Sequence, residues 1–428
     1  MTEPGAADAA SVVPADVNVP TDTPSNTAPD ESGPQGDYAP GGASYKRLMI
    51  ALPAAGMATF APLYSAHGLL PRIGATFDVP ATTSSLYISS GTIGLTLGAL
   101  VWSVLGDRYG RPKVMKAAML LAVAIGVLTI SMPTFPLILA TRVLQGFALG
   151  ALPTLAMAYL SEQVERKYTV IAAGAFISGN TVGGLSGRLI AAPIGAEWGW
   201  RWGVGAVLLV SLVATIIFCV TLPPPRTQLK TIGSVSEMFS NVWFHLRTPW
   251  MDAVYLQGFL LFGGFIGTYN YLTYRLEGEP FNMPTSLVSL LFIAYLAGTV
   301  SSKMTGGWAL NWGRRRVINA GAAVYAVGLL LTLVHNVFAI LAGLVILTGG
   351  YFMCQAIASG WAGALPTRGT AQSTSLYNMG YYAGSAIIGY LCGFPYRWFG
   401  WPGVVVSVLA CIALAQLLIV SRKELDDR

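Results

Sequence analysis

Asp107 stands in a turn that packs charge, two glycines and a proline between two apolar runs: Ser103-Val104-Leu105-Gly106-Asp107-Arg108-Tyr109-Gly110-Arg111-Pro112-Lys113. Such a stretch is a tight, polar turn at a membrane face. Its carboxylate can pair with Arg111, or sit at the N-terminus of a neighbouring helix, where the dipole favours negative charge. Either contact would latch one face of a bundle shut. The same charges could instead serve only to fix insertion topology. A fainter copy, Gly306-Gly307-Trp308-Ala309-Leu310-Asn311-Trp312-Gly313-Arg314-Arg315-Arg316, follows about half a chain later. Gly313 matches Gly110, Arg314 matches Arg111, Gly306 matches Ser103, and Leu310 replaces the acid. The chain therefore looks like two halves of one plan, with an unmatched carboxylate in the first.

Arg142 lies in the apolar run Arg142-Val143-Leu144-Gln145-Gly146, about two helical turns from the run's start. A buried arginine costs about 3 kcal/mol on insertion scales, so it needs a partner, a wet cavity or backbone carbonyls. His67 is the one histidine placed to carry a proton in a span, although a helix-contact role is equally open to it. Gly179-Asn180-Thr181-Val182-Gly183-Gly184 offers small residues for close helix approach. Polar and aromatic side chains in apolar runs make a list of cavity candidates: Tyr64, Tyr87, Gln145, Asn270, Tyr271, Gln355, Trp361, Asn378 and Tyr382. Tyr381 and Tyr382 cannot both face one cavity, because helix neighbours diverge by about 100°.

Apolar residues make up 54% and charged residues 10% of the 428, against roughly 25% charged in soluble domains. This is a membrane protein. Residues 1–45 hold seven acids ahead of the first base, Lys46, and few large apolar groups, so they read as a disordered acidic tail. A basic start followed directly by an apolar run is missing, so the first apolar segment reads as an uncleaved span. Runs long enough to cross about 30 Å of hydrocarbon fall near 48–70, 83–105, 114–132, 135–159, 168–191 and 202–222. Six more fall near 251–274, 285–306, 317–334, 337–362, 371–394 and 400–421. The expected organisation is a six-helix bundle over 46–222, a linker over 223–250 with a surface helix from Val235 to Leu246, a second bundle over 251–421, and a tail over 422–428.

Placing the N-terminus in the cytoplasm puts nineteen bases inside, among them Lys46, Arg47, Arg108, Arg111, Lys113, Lys116, Lys303, Arg314, Arg315, Arg316 and Arg422. Five fall outside: Arg72, Arg188, Arg201, Arg275 and Arg397. That bias requires both termini inside. Surplus bases on a membrane protein fit anionic lipid headgroups better than nucleic acid. The four cysteines lie in apolar runs without metal-ligand spacing, and the histidines are too scattered for a zinc site. No cofactor is implied, and no nucleotide-binding Gly-x-x-x-x-Gly-Lys-Ser/Thr loop occurs, so any transport runs on a gradient. No Asp or Glu falls in the centre of a span, and the ionisable groups left to be buried are Arg142, His67 and, if it is not an outer base, Arg188, which favours neutral, zwitterionic or anionic cargo over cations. A membrane sensor or embedded enzyme would call for a soluble domain or a nucleophile cluster, and the sequence offers neither.

The Gly106-Asp107-Arg108-Tyr109-Gly110-Arg111 turn, its echo at Gly306–Arg316 and the six-plus-six pattern resemble the major facilitator superfamily over residues 46–421. Gly56-Met57-Ala58-Thr59-Phe60, Gly174 to Arg188, and Tyr269-Asn270-Tyr271-Leu272-Thr273-Tyr274-Arg275 resemble its YnfM-like branch of bacterial efflux carriers, among the twelve-span drug:proton antiporters. The resemblance implies an all-α membrane protein of twelve helices in two pseudo-symmetric bundles, acting as a monomer and not an enzyme. It further implies proton-coupled export of a small organic solute by alternating access, with uptake symport or facilitation as alternatives on the same fold. Asp107 would latch against the eleventh span, starting near Thr370, and the region of Ser103, Asp107, Arg108, Gly110, Arg111, Gly306, Gly313 and Arg314 would form the cytoplasmic gate. Arg142 would take the family's coupling role. The Gly179–Gly184 run would be the antiport motif, with Asn180 in place of its usual proline.

Overall fold

The computed structural model describes residues 41–164, 166–225, 235–248, 250–366, 370–422 and 425. The acidic tail expected over 1–45 lies almost wholly outside them, and its last residues, from Ala43, are already helical. Residues 226–234 of the expected linker and most of the C-terminal tail also lie outside.

Twelve helices form the body: Ala43–Tyr64 (span 1), Leu86–Tyr109 (span 2), Arg111–Ser131 (span 3), Phe135–Leu149 continued by Ala151–Gln163 (span 4), Arg166–Trp198 (span 5) and Trp200–Thr221 (span 6), then Met251–Glu277 (span 7), Tyr295–Trp312 (span 8), Arg314–Leu331 (span 9), Val337–Ala364 (span 10), Thr370–Leu391 (span 11) and Trp401–Ser421 (span 12). Eight helical stretches among the described residues are long and apolar enough to cross a membrane, and a bent pair, Ala81–Ala99 with Val101–Tyr109, makes a ninth. Spans 5, 9 and 11 complete the set by occupying equivalent places in the two halves. Val235–Arg247 is a helix between the halves.

The repeat read from the turns is carried by the backbone. Gly110 joins spans 2 and 3 with φ 92°, and Gly313 joins spans 8 and 9 with φ 84°. Both lie in the left-handed region that only glycine enters without strain, which is why glycine stands at the matched positions. Packing repeats as well. Span 1 lies on spans 5 and 6 as span 7 lies on spans 11 and 12, and span 2 lies on span 4 as span 8 lies on span 10. The halves meet where span 2 touches span 11 and where span 5 touches the turn Ser289–Ala294 leading into span 8.

Four arginines bond the carbonyls that helix C-termini leave unpaired. At the end bearing the Asp107 turn, called here the basic end, Arg47 Nη2 donates to Val220 O (3.0 Å) and Arg315 Nη2 to Val420 O (2.5 Å). At the far end Arg201 bonds Ile130 O and Met132 O, both at 3.0 Å. Arg275 there bonds the carbonyls of Thr332, Leu333 and Val334.

Two elements add to the sequence reading. The eighth span, expected over 285–306, does start at Thr285, but the stretch Thr285–Trp312 is built of a short helix Thr285–Val288, the 3₁₀ stretch Ser289–Ala294 and the long helix from Tyr295. Span 5, expected over 168–191, runs through Pro193 to Trp198. Proline is tolerated inside a membrane helix because neighbouring groups satisfy the freed carbonyl. The extension has a consequence for Arg188: expected among the outer bases, it is 2% exposed, ten residues inside the helix end.

Candidate functional site

At the basic end, Arg111 Nη2 bonds Asp107 Oδ1 at 3.0 Å and Arg111 Nη1 bonds Glu162 Oε1 at 2.5 Å. The turn between spans 2 and 3 is thus tied to the basic end of span 4. Burial pushes the Glu162 carboxyl above its usual range, the Arg111 guanidinium pulls it back, and Asp107 adds to the rise. The Asp107 side chain remains 45% exposed. Ser103 and Arg108 lie on the span 2 helix beside it, and in the second half Gly306 has open space where a Cβ would stand.

Arg142 is fully buried in the first half. Its Nη2 donates to Leu63 O (2.8 Å), Nη1 to Pro62 O (3.3 Å) and to Gln145 Oε1 (2.6 Å), and Nε to Tyr87 O (3.2 Å). The guanidinium also lies 4.6 Å from the centre of the Tyr87 ring. Three candidates from the sequence, Arg142, Gln145 and Tyr87, therefore form one cluster. Four of its five N–H donors are used, three on carbonyls of spans 1 and 2 and one on Gln145, which is the backbone alternative left open for Arg142. It clamps the three helices together.

Arg188 forms a second buried cluster, at the meeting of the two halves. Its Nε donates to His67 Nδ1 (3.0 Å) and its Nη2 to the Tyr295 hydroxyl (3.3 Å), while Nη1 bonds Gly184 O (2.6 Å). The guanidinium lies 4.7 Å from the Tyr64 ring, 5.0 Å from Phe292 and 4.6 Å from Tyr295. Tyr64 and His67 stack with centres 5.3 Å apart, and His67 faces Phe292 at 5.8 Å. No carboxylate pairs with Arg188 among the described residues. The sequence leaves Arg188 open, as an outer base or as a buried group, and the structure has it buried; Phe292 and Tyr295 are the members of the cluster that no sequence signal marks.

Tyr271, expected in the cavity, instead helps close the far end: its hydroxyl donates to Ser85 Oγ at 3.1 Å. Beside it Tyr274 and Ser84 share a short hydrogen bond, and Arg72 Nε donates to Thr285 Oγ1 at 3.3 Å. With Arg188 and Tyr295, these are the hydrogen bonds that join the two halves among the described residues. Three lie at the far end, and the Arg188–Tyr295 bond lies beneath them, ten residues inside the end of span 5.

Asn270 is fully buried near His67. Trp361 is core, Gln355 and Tyr382 are half-buried, and Asn378 is exposed. Tyr381 stacks on Phe262 at 3.6 Å with the Tyr382 ring perpendicular to it, as neighbours on a helix must diverge. The Gly179–Gly184 run is the seam between spans 5 and 1. A Cβ on Gly183 would come within 2.6 Å of Met57 Cα, and Asn180 sits against Gly56. Gly184 differs, since a Cβ there would meet only Arg188 Nη1 at 3.2 Å and Tyr64 at 4.0 Å.

Two pseudo-symmetric helical bundles, bonded to each other toward one end among the described residues and carrying a buried cation between them, are the arrangement of a membrane transporter. The sequence pattern of the Major Facilitator Superfamily matches residues 48–301 and 276–427, and the chain belongs to that family. The inner membrane transport protein YnfM of Escherichia coli (strain K12) is 34% identical over 374 residues, covering 87% of this chain and 90% of its own. The MFS-type transporter YybF of Bacillus subtilis (strain 168) is 32% identical over 372 residues, covering 87% and 92%. Among solved structures, the nucleoside transporter NupG superposes with a TM-score of 0.73 at 11% identity over 87% of this chain and 99% of its own. The inward-open xylose transporter XylE from E. coli gives 0.69 at 15% identity over 88% and 96%. The protein is accordingly a multi-pass inner-membrane transporter, and its family and relatives are transporters, not enzymes.

Proposed function

We propose that this transporter, acting as a monomer, exports a small neutral, zwitterionic or anionic organic solute from the cytoplasm in exchange for protons. The observation that carries the reading is that, among the described residues, the hydrogen bonds between halves lie toward the far end. With the basic end in the cytoplasm, as the base count favours, both termini are inside and the structure is the inward-facing state, closed toward the outside. Cytoplasmic cargo would enter beside Asn378 and Tyr382 and meet the Arg188 cluster beneath the closed end. The cargo class follows from charge. Among the described residues, the buried basic groups between and within the bundles are Arg142, Arg188 and His67, and a buried cation without a carboxylate repels a cationic solute. Export and antiport rest on the resemblance to the YnfM-like branch.

A second reading is favoured by the His67 contact. An imidazole that accepts from Arg188 at Nδ1 is neutral, and a proton on Nδ1 would break that bond and set two cations side by side. The groups around it are Arg188 on span 5, Tyr64 on span 1, Tyr295 on span 8, Asn270 on span 7 and, farther off, Arg142 on span 4. An anion at Arg188 would offset that repulsion, so anion and proton would bind together and cross together. Solute movement in proteoliposomes under an imposed pH gradient decides between them. Solute leaving as protons enter is the result expected for antiport, whereas solute moving with protons establishes cotransport, and indifference to the gradient contradicts both. In either coupled case His67→Asn should abolish the gradient dependence while leaving solute counterflow.

A further inference from the structure

Arg188 has more donors than the protein uses. A guanidinium carries five N–H groups, and the three hydrogen bonds to His67, Gly184 and Tyr295 take one from each nitrogen. One N–H on each terminal nitrogen remains without a partner among the described residues. Those are the donors a carboxylate accepts in a bidentate pair. The adjacent face of span 5 is bare at Gly184, where a Cβ would press on Nη1 itself. The Tyr64 hydroxyl, on a residue 6% exposed and stacked beside the guanidinium, also has no hydrogen-bond partner among the described residues. Nothing in the fold requires a buried cation here to be left short of acceptors.

Charge narrows the ligand. Arg142, the other buried arginine, is committed to three carbonyls and Gln145. One available positive charge suits a monoanion and leaves a phosphate dianion undercompensated. The surroundings narrow it further. From Tyr295 a series of rings leads through Phe265 (5.3 Å between centres) to Tyr351 (4.1 Å) and Phe262 (6.0 Å), on spans 8, 7 and 10. Flat apolar groups pack on such rings.

We propose that Arg188 is the carboxylate-binding centre of this transporter, taking a small organic monoacid whose flat apolar body lies along Tyr295, Phe265 and Tyr351. This deepens the proposed function and rests on its reading of the cargo as small and not cationic. The guanidinium rests on His67 and is caged by Tyr64, Phe292 and Tyr295. Because Tyr295 and Phe292 come from the second half and Arg188 from the first, an acid bound there touches both halves at once. The competing assignment makes Arg188 only a cation–π bolt between the halves, with no ligand of its own.

Binding to the purified full chain separates the two. The probes are benzoate, phenylacetate and 3-phenylpropionate, each set against its neutral amide and followed by calorimetric titration. At least one acid should bind more than tenfold tighter than its amide. Arg188→Gln should erase that preference. Arg188→Lys, which keeps the charge and loses the planar fork, should weaken the acid by about tenfold. Equal binding of acid and amide, absence of binding by every acid, or an undiminished preference in Arg188→Gln overturns the proposal. Should Arg188→Gln fail to give a monodisperse protein, the Lys variant decides alone, an unchanged acid affinity counting against the site. The assay needs no flux. Arg188-dependent binding without movement across liposomes leaves the site standing and removes the export reading, while solute flux that ignores Arg188→Gln does the reverse.

Discussion

Asp107→Asn is expected to insert at wild-type abundance and to lower the flux of an established cargo about tenfold. In the present state Asp107 is bonded to Arg111 and still 45% exposed, so its carboxylate is free to take a second partner when the basic end closes. The N-terminus of span 11, beginning at Thr370, is that partner in our account. A carboxylate at a helix N-terminus stabilises by about 0.3–2 kcal/mol, and about 1.4 kcal/mol is a tenfold change in population. Losing the charge therefore makes the closed basic end rarer without unfolding anything. Leu310 occupies the corresponding place in the second half, 90% exposed, so no symmetric carboxylate compensates. Near-normal flux at normal abundance would leave Asp107 with a topogenic role only.

Arg142→Leu should fail differently, in the fold. The arginine holds Leu63 O and Pro62 O on span 1 and Tyr87 O on span 2 from its place on span 4. Leucine fills part of the volume and donates nothing. A buried acceptor left unpaired costs about 1–3 kcal/mol, and Leu63 O, Gln145 Oε1 and the Tyr87 ring all lose their cation together. The expected result is a thermal midpoint several degrees lower in detergent and reduced abundance, with the cargo preference of surviving protein intact. Unchanged stability with altered coupling would restore the coupling role that family resemblance implies for this residue.

The contrast between the two arginines shows what the sequence discloses. The helical bundle and its repeat are written in apolar run lengths and in Gly110 and Gly313, because a membrane leaves the chain few options and a positive φ leaves fewer. Arg142 was legible because it stands well inside an apolar run. Arg188 is legible only as an alternative, outer base or buried group, because the apolar run stops near Pro193 although the helix continues to Trp198. Its partners Phe292 and Tyr295 lie some hundred positions away on the other half, and no local pattern brings them together. Tyr271 misled for a related reason. An aromatic residue in a span suits a cavity or a closure equally, and only the register of span 7 against Ser85 places it in the far-end closure.

The central claim is that the halves rock between a state closed at the far end and one closed at the basic end. Spin-label distance measurements test it without a known cargo, on the full chain with Cys219, Cys354, Cys392 and Cys411 replaced. One pair, Thr76→Cys with Leu287→Cys, reports the far end, and another, Lys113→Cys with Leu310→Cys, reports the basic end, all at exposed positions. The account predicts two populations with opposite responses. Conditions that lengthen the far-end distance shorten the basic-end distance, and Asp107→Asn depletes the short basic-end population. Two ends that stay fixed, or that open and close together, would contradict it.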